Sequence, residues 1–282
     1  MKIGIAGGGA LGLLCTAHLM AQGHDVFLKL RNREQIQKIE DEGICLEQED
    51  RMYQYRPRAG RESTEEPDLW LCTVKQHHIS ELFDNWKPAA PMLMLQNGIG
   101  HMDIIPEGVE AYPAVVTHGA LRTSLHEVRH TGDGMIAVPL TGKREVEELI
   151  RQSGKLNVSE VADIKTRIHK KLIMNAVINP LTVLYEKPNG YLLENPEAEE
   201  EAQKLCIEAA AILDMEKLIW EDVKQLIRMT ARNRSSMLAD YEAGRPLELQ
   251  AINGALITMA GVKGAPHHER IVYLVRKKEA ER

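Results

Sequence analysis

The sequence has few cysteines, and they are not clustered. Cys15, Cys45, Cys72 and Cys206 lie far apart along the 282-residue chain, and no two of them form a CxxC pair. Small disulfide frameworks and zinc modules usually contain closely spaced cysteines. We therefore expect a reduced, cytoplasmic protein that has neither structural disulfides nor a metal site.

The sequence also lacks an excess of positive charge. Its formal net charge of -6 argues against nucleic acid or an acidic membrane surface as the main partner. The uncharged segment from Ile3 to Ala21 contains five glycines, which are unsuited to a signal peptide core or a membrane-spanning helix. We expect no targeting segment and no membrane contact. The remaining composition is that of a globular protein with one large domain or two domains.

A glycine-rich turn near the start of the chain carries the first functional signal. Residues 2–6 have the pattern of a short buried strand, and the GxGxxG motif follows directly as Gly7, Gly8, Gly9, Ala10, Leu11 and Gly12. The first glycine of this motif allows a tight turn, the second lets the backbone approach a pyrophosphate, and the third lets the next helix pack against the strand. That helix, to about Gln22, directs its N-terminal amides at the phosphates. Gly23 and a second strand over 25–30 complete the pattern of a dinucleotide-binding unit.

The end of the second strand bears on the choice of dinucleotide. NAD sites usually carry an acidic residue there, which binds the ribose hydroxyls. This chain instead has basic residues at Lys29, Arg31 and Arg33. An arginine suits the 2'-phosphate of NADP(H), although basic residues at a strand end are also common on solvated loops. We expect NADPH/NADP+ as the cofactor.

Further hydrophobic runs end in polar residues. The run over 68–75 ends in Lys75, the run over 91–97 ends in Asn97, and the run over 114–119 contains His118. The carboxyl ends of parallel strands open into the crevice where such sheets bind ligands, so these side chains are expected near the ligand. The paired histidines at 77–78 are more typical of a surface helix than of a metal site.

From about Ile164 the pattern becomes helical, and one helix carries a polar stripe. The run over 168–184 is apolar on nearly every side, as is typical of a helix buried in a domain interior. Lys171, Asn175 and Asn179 stand at i, i+4 and i+8 and therefore share one face. A lysine and two amides facing an interior are costly unless something polar fills the space beside them. The alternative is that the stripe faces solvent or caps a neighbouring segment.

Three local features of the helical part lead to further expectations. Pro180 removes a backbone donor and should bend the helix just after the stripe. Asn195 and Pro196 precede an acidic run and predict a helix start, so the run over 197–201 is interpreted as a solvated helix face. The cluster over 267–269, His-His-Glu, is interpreted as a surface turn.

Together, the motifs resemble the 2-dehydropantoate 2-reductase (ketopantoate reductase) family along most of the chain. The opening KIGIAGGGALG resembles the glycine loop of the family, and Arg31 its basic residue after the second strand. The crevice motifs are LCTVK with Lys75, LQNGIG with Asn97 and VTHGA with His118. The catalytic helix and the late motifs of the family are matched by Lys171 to Thr182, by 188–190, by 233–237, by Glu248 and by 253–254.

The resemblance implies an α/β Rossmann-type dinucleotide-binding domain over 1–162 and an all-α substrate and catalytic domain over 163–282, with the active site in the cleft between them. The implied reaction is hydride transfer from NADPH to the C2 carbonyl of 2-dehydropantoate. Its product is (R)-pantoate, for pantothenate and coenzyme A synthesis. Negative charge develops on the carbonyl oxygen during this transfer, so a positioned acid or cation must stabilise it.

The resemblance also implies roles for individual residues. Lys171 matches the acid, and Glu248 would hold and tune that lysine or bind a substrate hydroxyl. The implied substrate contacts are Asn97, Asn175, Asn179, Asn233 and Ser236. The implied cofactor contacts are Gly7, Gly8, Gly9, Ala10, Leu11, Gly12, Arg31, Lys75 and Asn97. The sequence departs from the family at His267, and the segment 142–159 is loosely matched.

Two other functions are also compatible with the sequence. The chain could be another NADP-dependent reductase, of a 2-keto or 3-hydroxy acid, with the same two-domain plan. It could instead be a catalytically silent NADP(H)-binding sensor, which would have no need of Lys171 or Glu248. Both residues are present with their spacing intact, which favours the enzyme, since function is determined by the site and not by the fold. We expect a monomer or a homodimer.

Overall fold

The computed structural model describes residues 1–215 and 219–282. The strands are β1 (Lys2–Ala6), β2 (Asp25–Lys29), β3 (Ile44–Gln48), β4 (Arg51–Tyr55), β5 (Arg58–Gly60), β6 (Leu69–Cys72), β7 (Met92–Met94), β8 (Ala111–Pro113), β9 (Val115–Val116), β10 (Gly119–Arg122), β11 (Glu127–Gly132), β12 (Ile136–Pro139) and β13 (Val158–Val161). The α-helices are α1 (Ala10–Ala21), α2 (Arg33–Glu42), α3 (Ile79–Phe83), α4 (Arg144–Arg151), α5 (Ile164–Tyr185), α6 (Tyr191–Glu194), α7 (Pro196–Ile212), α8 (Ile219–Met229), α9 (Ser236–Glu242), α10 (Ala255–Ala260) and α11 (Pro266–Ala280).

The chain divides into two compact units. The first contains Met1–Gln96 and His101–Ile164, and the second contains Lys165–Arg282 together with the short segment Asn97–Gly100. The first unit contains strands and helices, whereas the described residues of the second unit form helices and connecting loops. Within the described residues, no helix combines the length and the hydrophobicity that crossing a membrane requires.

A six-stranded parallel sheet forms the centre of the first unit. Its strand order is β5-β2-β1-β6-β7-β8, and every neighbouring pair runs parallel. Strand β6 is buried along its whole length, as expected for a strand covered on both faces. The chain order reverses between β1 and β6, and doubly wound sheets bind ligands at such a switch point. This arrangement confirms the predicted Rossmann-type fold.

Two smaller sheets complete the first unit. One has the order β10-β11-β3-β4, and the other has the order β13-β12-β9. Strand β3 pairs in parallel with β11 and antiparallel with β4. The pairing of β3 with β11, which lies far along the chain, is set by the tertiary fold and not by a local pattern.

The helical unit is organised around α5. Its buried residues are Leu172, Ile173, Ala176, Val177, Ile178, Asn179, Pro180, Leu181, Thr182 and Val183. The apolar members belong to a core that also contains residues of α7, α8, α9 and α11. The predicted all-α character of the C-terminal part is therefore confirmed.

Two local predictions concern the segments where α7 and α11 begin. The side chain of Asn195 accepts hydrogen bonds from the backbone amides of Glu197 and Ala198, both at 3.0 Å, so the predicted start of α7 is confirmed. The prediction of a surface turn over 267–269 was wrong. These residues lie in the first turn of α11, where His268 is fully buried. The Glu208 carboxylate accepts from the backbone amide of His268 at 2.8 Å, which satisfies the start of this helix.

Candidate active site

Residues with side chains would not fit at two positions of the glycine loop after β1. Gly7 has a φ of +115°, which is costly for any other residue. A Cβ at Gly12 would collide with the carbonyl oxygen of Gly7, because α1 starts so close to the strand. At Gly9, by contrast, no heavy atom of the described residues beyond its immediate chain neighbours lies within 4 Å of the Cβ position. The loop is therefore closed on the protein side and open at Gly9, where α1 begins.

Side chains from elsewhere in the first unit hold this loop in place. The Thr73 hydroxyl donates to the carbonyl oxygens of Ala6 at 3.1 Å and Gly7 at 3.0 Å. The carbonyl of Gly8 accepts from Gln35 Nε2 at 2.8 Å and from Arg122 at 3.2 Å. Sequence reasoning missed these supports, because they join residues that are far apart in the chain.

Lys75 lies three residues after the end of β6. A Cβ at Gly7 would lie 2.9 Å from the Val74 amide nitrogen, so the segment that carries Lys75 packs directly against the glycine loop. The Gln96 side chain donates to the Val74 carbonyl at 3.0 Å and to the Cys72 carbonyl at 3.1 Å, which fixes the end of β6.

Basic residues cluster after β2. Arg31 is exposed and forms an ion pair with Glu81 of α3. Lys29 donates to the Arg61 carbonyl at 2.6 Å, and its ammonium lies 4.7 Å from the centre of the Trp86 ring. Arg61 in turn donates to the Arg31 carbonyl at 3.2 Å. The sequence pattern singled out Lys29 and Arg31, but it did not indicate Glu81, the acid that pairs with Arg31.

These features fit a bound nicotinamide dinucleotide. The open face at Gly9 and the N-terminal amides of α1 would hold the pyrophosphate, because a helix N-terminus carries partial positive charge. Ala10 and Leu11 form the first turn of that helix. Arg31 would lie at the adenosine end, beyond β2, where a 2'-phosphate is recognised.

A lysine with a perturbed pKa lies on α5, in the helical unit. Burial lowers the pKa of Lys171 from 10.5 to about 8, and the carboxylate of Glu248 opposes this shift. An amine that titrates near neutral pH is suited to proton transfer. Burial and a specific charge partner together are typical of a functional site, although ion-pair networks also perturb pKa values.

The loop over 97–100 brings Asn97 to the same cluster. Asn97 Nδ2 donates to Glu248 Oε2 at 3.2 Å. Gly98 has a φ of +81°, and a Cβ there would collide with the carbonyl oxygen of Ala251. The amide of Ile99 donates to the same carbonyl at 3.4 Å. The backbone of this loop thus packs directly on the π-helix over 250–254, and Lys171, Glu248 and Asn97 come together.

The middle of α5 is completed by a residue from that π-helix. Pro180 lies inside the helix and has no N–H, so the carbonyl of Ala176 lacks its usual partner four residues on. Asn253 Nδ2 donates to this carbonyl at 2.8 Å and also lies 3.0 Å from His268 Nδ1. Burial lowers the pKa of His268 to about 4, so its ring is neutral and can accept that bond. The segment of α5 between Asn175 and Asn179 is therefore supported from a neighbouring element.

The remaining predicted substrate contacts have different environments. Asn179 is buried and Asn175 is partly buried, whereas Asn233 and Ser236 are exposed. The adjacent Ser235 is buried, caps α9 by accepting from the Leu238 amide at 3.0 Å, and lies 2.7 Å from the Thr182 hydroxyl. This contact joins the segment containing Asn233 and Ser236 to α5. The sequence had singled out Ser236 and not its structural neighbour.

Comparison with known proteins places the chain in a family. A family model described as ketopantoate reductase PanE/ApbA matches residues 3–142, and the model of its C-terminal part matches residues 163–279. The 2-dehydropantoate 2-reductase of Bacillus subtilis (strain 168) is 36% identical over 275 residues, which cover 94% of this chain and 92% of the relative.

Solved structures agree with this assignment. A crystal structure of a probable 2-dehydropantoate 2-reductase from Bacillus subtilis has a TM-score of 0.84 and 34% identity, and covers 98% of this chain and 99% of that chain. The ternary structure of D-mandelate dehydrogenase with NADH and anilino(oxo)acetate has a TM-score of 0.90, covering 100% and 99% of the two chains. At 22% identity, this second likeness shows the fold alone. On the sequence matches and the fold together, the chain belongs to the ketopantoate reductase family.

Proposed function

We propose that this protein reduces 2-dehydropantoate to (R)-pantoate with NADPH, as a step of pantothenate and coenzyme A synthesis. The observation that carries the proposal is the cluster of Lys171, Glu248 and Asn97. In this cluster a lysine of lowered pKa lies beside a carboxylate, which accepts a hydrogen bond from the asparagine amide. Family membership and the name of the Bacillus subtilis relative support the substrate.

The cofactor, when bound, supplies the hydride. Lys171 would donate a proton to the carbonyl oxygen of the substrate as negative charge develops there. Glu248 favours the charged form of the lysine, which keeps it protonated below a pH of about 8. Asn97 orients that carboxylate through its 3.2 Å hydrogen bond.

The other residues of the polar stripe would position the substrate. Asn175 and Asn179 share a helix face with Lys171 by their spacing and would bind substrate oxygens through their amides. Ser236 would bind the carboxylate of the substrate, with Asn233 nearby. We propose residues 1–162 as the cofactor-binding domain and 163–282 as the catalytic domain, with Asn97 serving the catalytic cluster.

Preference for NADPH would rest on Arg31. Its guanidinium can bind a 2'-phosphate through two parallel hydrogen bonds, a geometry that a ribose hydroxyl does not match. The guanidinium also pairs with Glu81, so a phosphate would compete with this carboxylate for the same group. The preference is therefore set by the difference between two interactions of one arginine.

The test is turnover by the purified protein. Oxidation of NADPH is followed by absorbance with 2-dehydropantoate and with a panel of other 2-keto acids, and NADH serves as the cofactor control. We expect rapid turnover of 2-dehydropantoate with NADPH and much slower turnover with the other combinations. Preferred turnover of another acid would replace the substrate, and tight NADPH binding without any turnover would overturn the enzymatic function.

A further inference from the structure

A cluster of metal-ligating side chains lies in the four-stranded sheet of the first unit. Strands β3 and β11 pair in parallel with Cys45 opposite Glu127, so the two side chains lie side by side. His126 directly precedes β11, and its carbonyl accepts from the Cys45 amide at 3.0 Å. One ligand atom from each of Cys45, His126 and Glu127 lies within 4.8 Å of the other two.

A second carboxylate faces the same histidine. Glu42 is the last residue of α2, and its Oε2 lies 3.3 Å from His126 Nε2. Its other oxygen accepts from Lys38. Ser124 Oγ lies 3.2 Å from His126 Nδ1, so the second nitrogen of the ring already has a partner. Metal-bound histidines almost always hydrogen-bond through their second nitrogen, which fixes the ring orientation.

The charges of this cluster favour a cation. Glu127 lies opposite Cys45 in the β3–β11 register, and the Glu42 carboxylate lies 3.3 Å from His126 Nε2. Two carboxylates are therefore grouped with a thiol and an imidazole. A divalent cation bound among them would offset the repulsion between the carboxylates and stabilise the thiolate.

We propose that Cys45, His126, Glu127 and Glu42 bind a zinc ion. Zinc accepts sulfur, imidazole nitrogen and carboxylate oxygen in tetrahedral sites, whereas magnesium and calcium prefer oxygen alone. Bonds of about 2.0–2.3 Å place tetrahedral ligands about 3.3–3.8 Å apart, so the ligand atoms of Cys45, His126 and Glu127 close in by up to about 1 Å. Glu42 approaches from the side of His126 to complete the set. On binding, the thiol proton leaves to solvent and a zinc–thiolate bond forms.

The ion would stabilise the support of the glycine loop. Leu125, next to His126, accepts from Gln35 Nε2 at 2.7 Å, and the same nitrogen donates to the Gly8 carbonyl at 2.8 Å. Zinc would join the end of α2, strand β3 and the β10–β11 turn around this bridge. The role is structural, and it does not depend on the substrate proposed above.

The test uses full-length protein stripped of metal with a chelator and kept free of nucleotide. We expect calorimetry to show one zinc ion per chain, and Tm to rise by about 5 °C or more at about 100 times the Kd. Cobalt in place of zinc should give a thiolate-to-cobalt charge-transfer absorption. Cys45→Ser should abolish that absorption and weaken zinc binding by more than about 10-fold.

The matched control is His267→Gln, which removes an exposed histidine from α11 and should bind zinc like the unaltered protein. Circular dichroism checks that each variant is folded. If Cys45→Ser does not fold, the cobalt spectrum of the unaltered protein still reports whether sulfur is a ligand. The proposal would be overturned by the absence of stoichiometric binding or by a cobalt complex without the thiolate absorption. It would also be overturned if Cys45→Ser and His126→Gln both bound zinc as tightly as the unaltered protein.

Discussion

The glycine loop and helix α5 differ in the part of the chain that shapes each proposed site. In the loop, the absence of side chains shapes the site, since Gly12 allows close packing and Gly9 leaves an open face. In α5, the proposed functional groups are side chains, and Asn253 of a neighbouring element donates the hydrogen bond that the Ala176 carbonyl would otherwise lack. Substitutions that add side-chain atoms should therefore disrupt the loop. Substitutions that remove side-chain atoms should impair the function or stability of the helix.

The largest expected effect is on α5. Lys171→Ala should reduce turnover by a factor of about 100 or more, because it removes the proposed proton donor. NADPH affinity should be nearly unchanged. Steady-state kinetics and a fluorescence titration of NADPH measure the two quantities. The matched control is Lys170→Ala, whose lysine is exposed and pairs with Asp222 at 3.1 Å. An equal loss of cofactor affinity in the Lys171 variant would reject the assigned role.

Two glycine-to-alanine substitutions distinguish the packing role of Gly12 from the open position at Gly9. Gly12→Ala should cost on the order of 3 kcal/mol of unfolding free energy, because its Cβ collides with the backbone of Gly7. Gly9→Ala should cost less than about 1 kcal/mol, since there is space for the methyl group and only the helix cap changes. It should nevertheless weaken NADPH binding. Denaturant melts and a cofactor titration test the pair, and similar stability losses would contradict the distinction.

Support of α5 can be tested by a double-mutant cycle. Asn253→Ala should destabilise the protein by about 1–3 kcal/mol, because a buried carbonyl loses its donor. Pro180→Ala returns a backbone N–H to the helix, so Asn253→Ala should cost less in that background. The unfolding free energies of the four proteins give the coupling. Additive losses would mean that the Asn253 bond does not replace the missing helix bond.

A smaller effect is expected at the adenosine end of the cofactor site. Arg31→Ala should weaken NADPH by about 10-fold and NADH much less, because only NADPH carries the 2'-phosphate. Glu81→Gln should have the opposite sign and strengthen NADPH by a few-fold, since Arg31 loses its competing ion pair. Titrations with both cofactors measure the preference. A uniform loss in the arginine variant would exclude contact with the phosphate.

The smallest expected effect is a shift in pH dependence. Turnover should fall as the pH rises through about 8, where Lys171 loses the proton it donates. Glu248 raises the pKa of this lysine, so Glu248→Gln should move the fall to lower pH. A pH profile of kcat at saturating substrate measures the shift. A move to higher pH would show that Glu248 acts on something other than the lysine charge.

The sequence predicted those features that local patterns determine. Strand β1 and the glycine loop follow from a hydrophobic run and the spacing of Gly7, Gly9 and Gly12, and the shared face of Lys171 and Asn175 follows from helical periodicity. The Rossmann-type fold followed from the order of these elements, and the structure confirms it.

Other features depend on residues distant in sequence. The polar character of Asn253 and His268 did not indicate that one would complete α5 while the other lies buried beside it. Nor did the charge of Glu81 indicate a pair with Arg31. The strand that carries Cys45 is paired with β11 by the tertiary fold, so no cysteine spacing could reveal the cluster there.

The bond between Asn253 and Ala176 also has an evolutionary consequence. Pro180 creates the need for a donor at that carbonyl, and Asn253 meets it from a distant part of the chain. A lineage that loses the proline is released from the need for the amide, whereas a lineage that loses the amide first must pass through a less stable protein. The two positions are therefore expected to change in a preferred order, with the proline replaced before the asparagine.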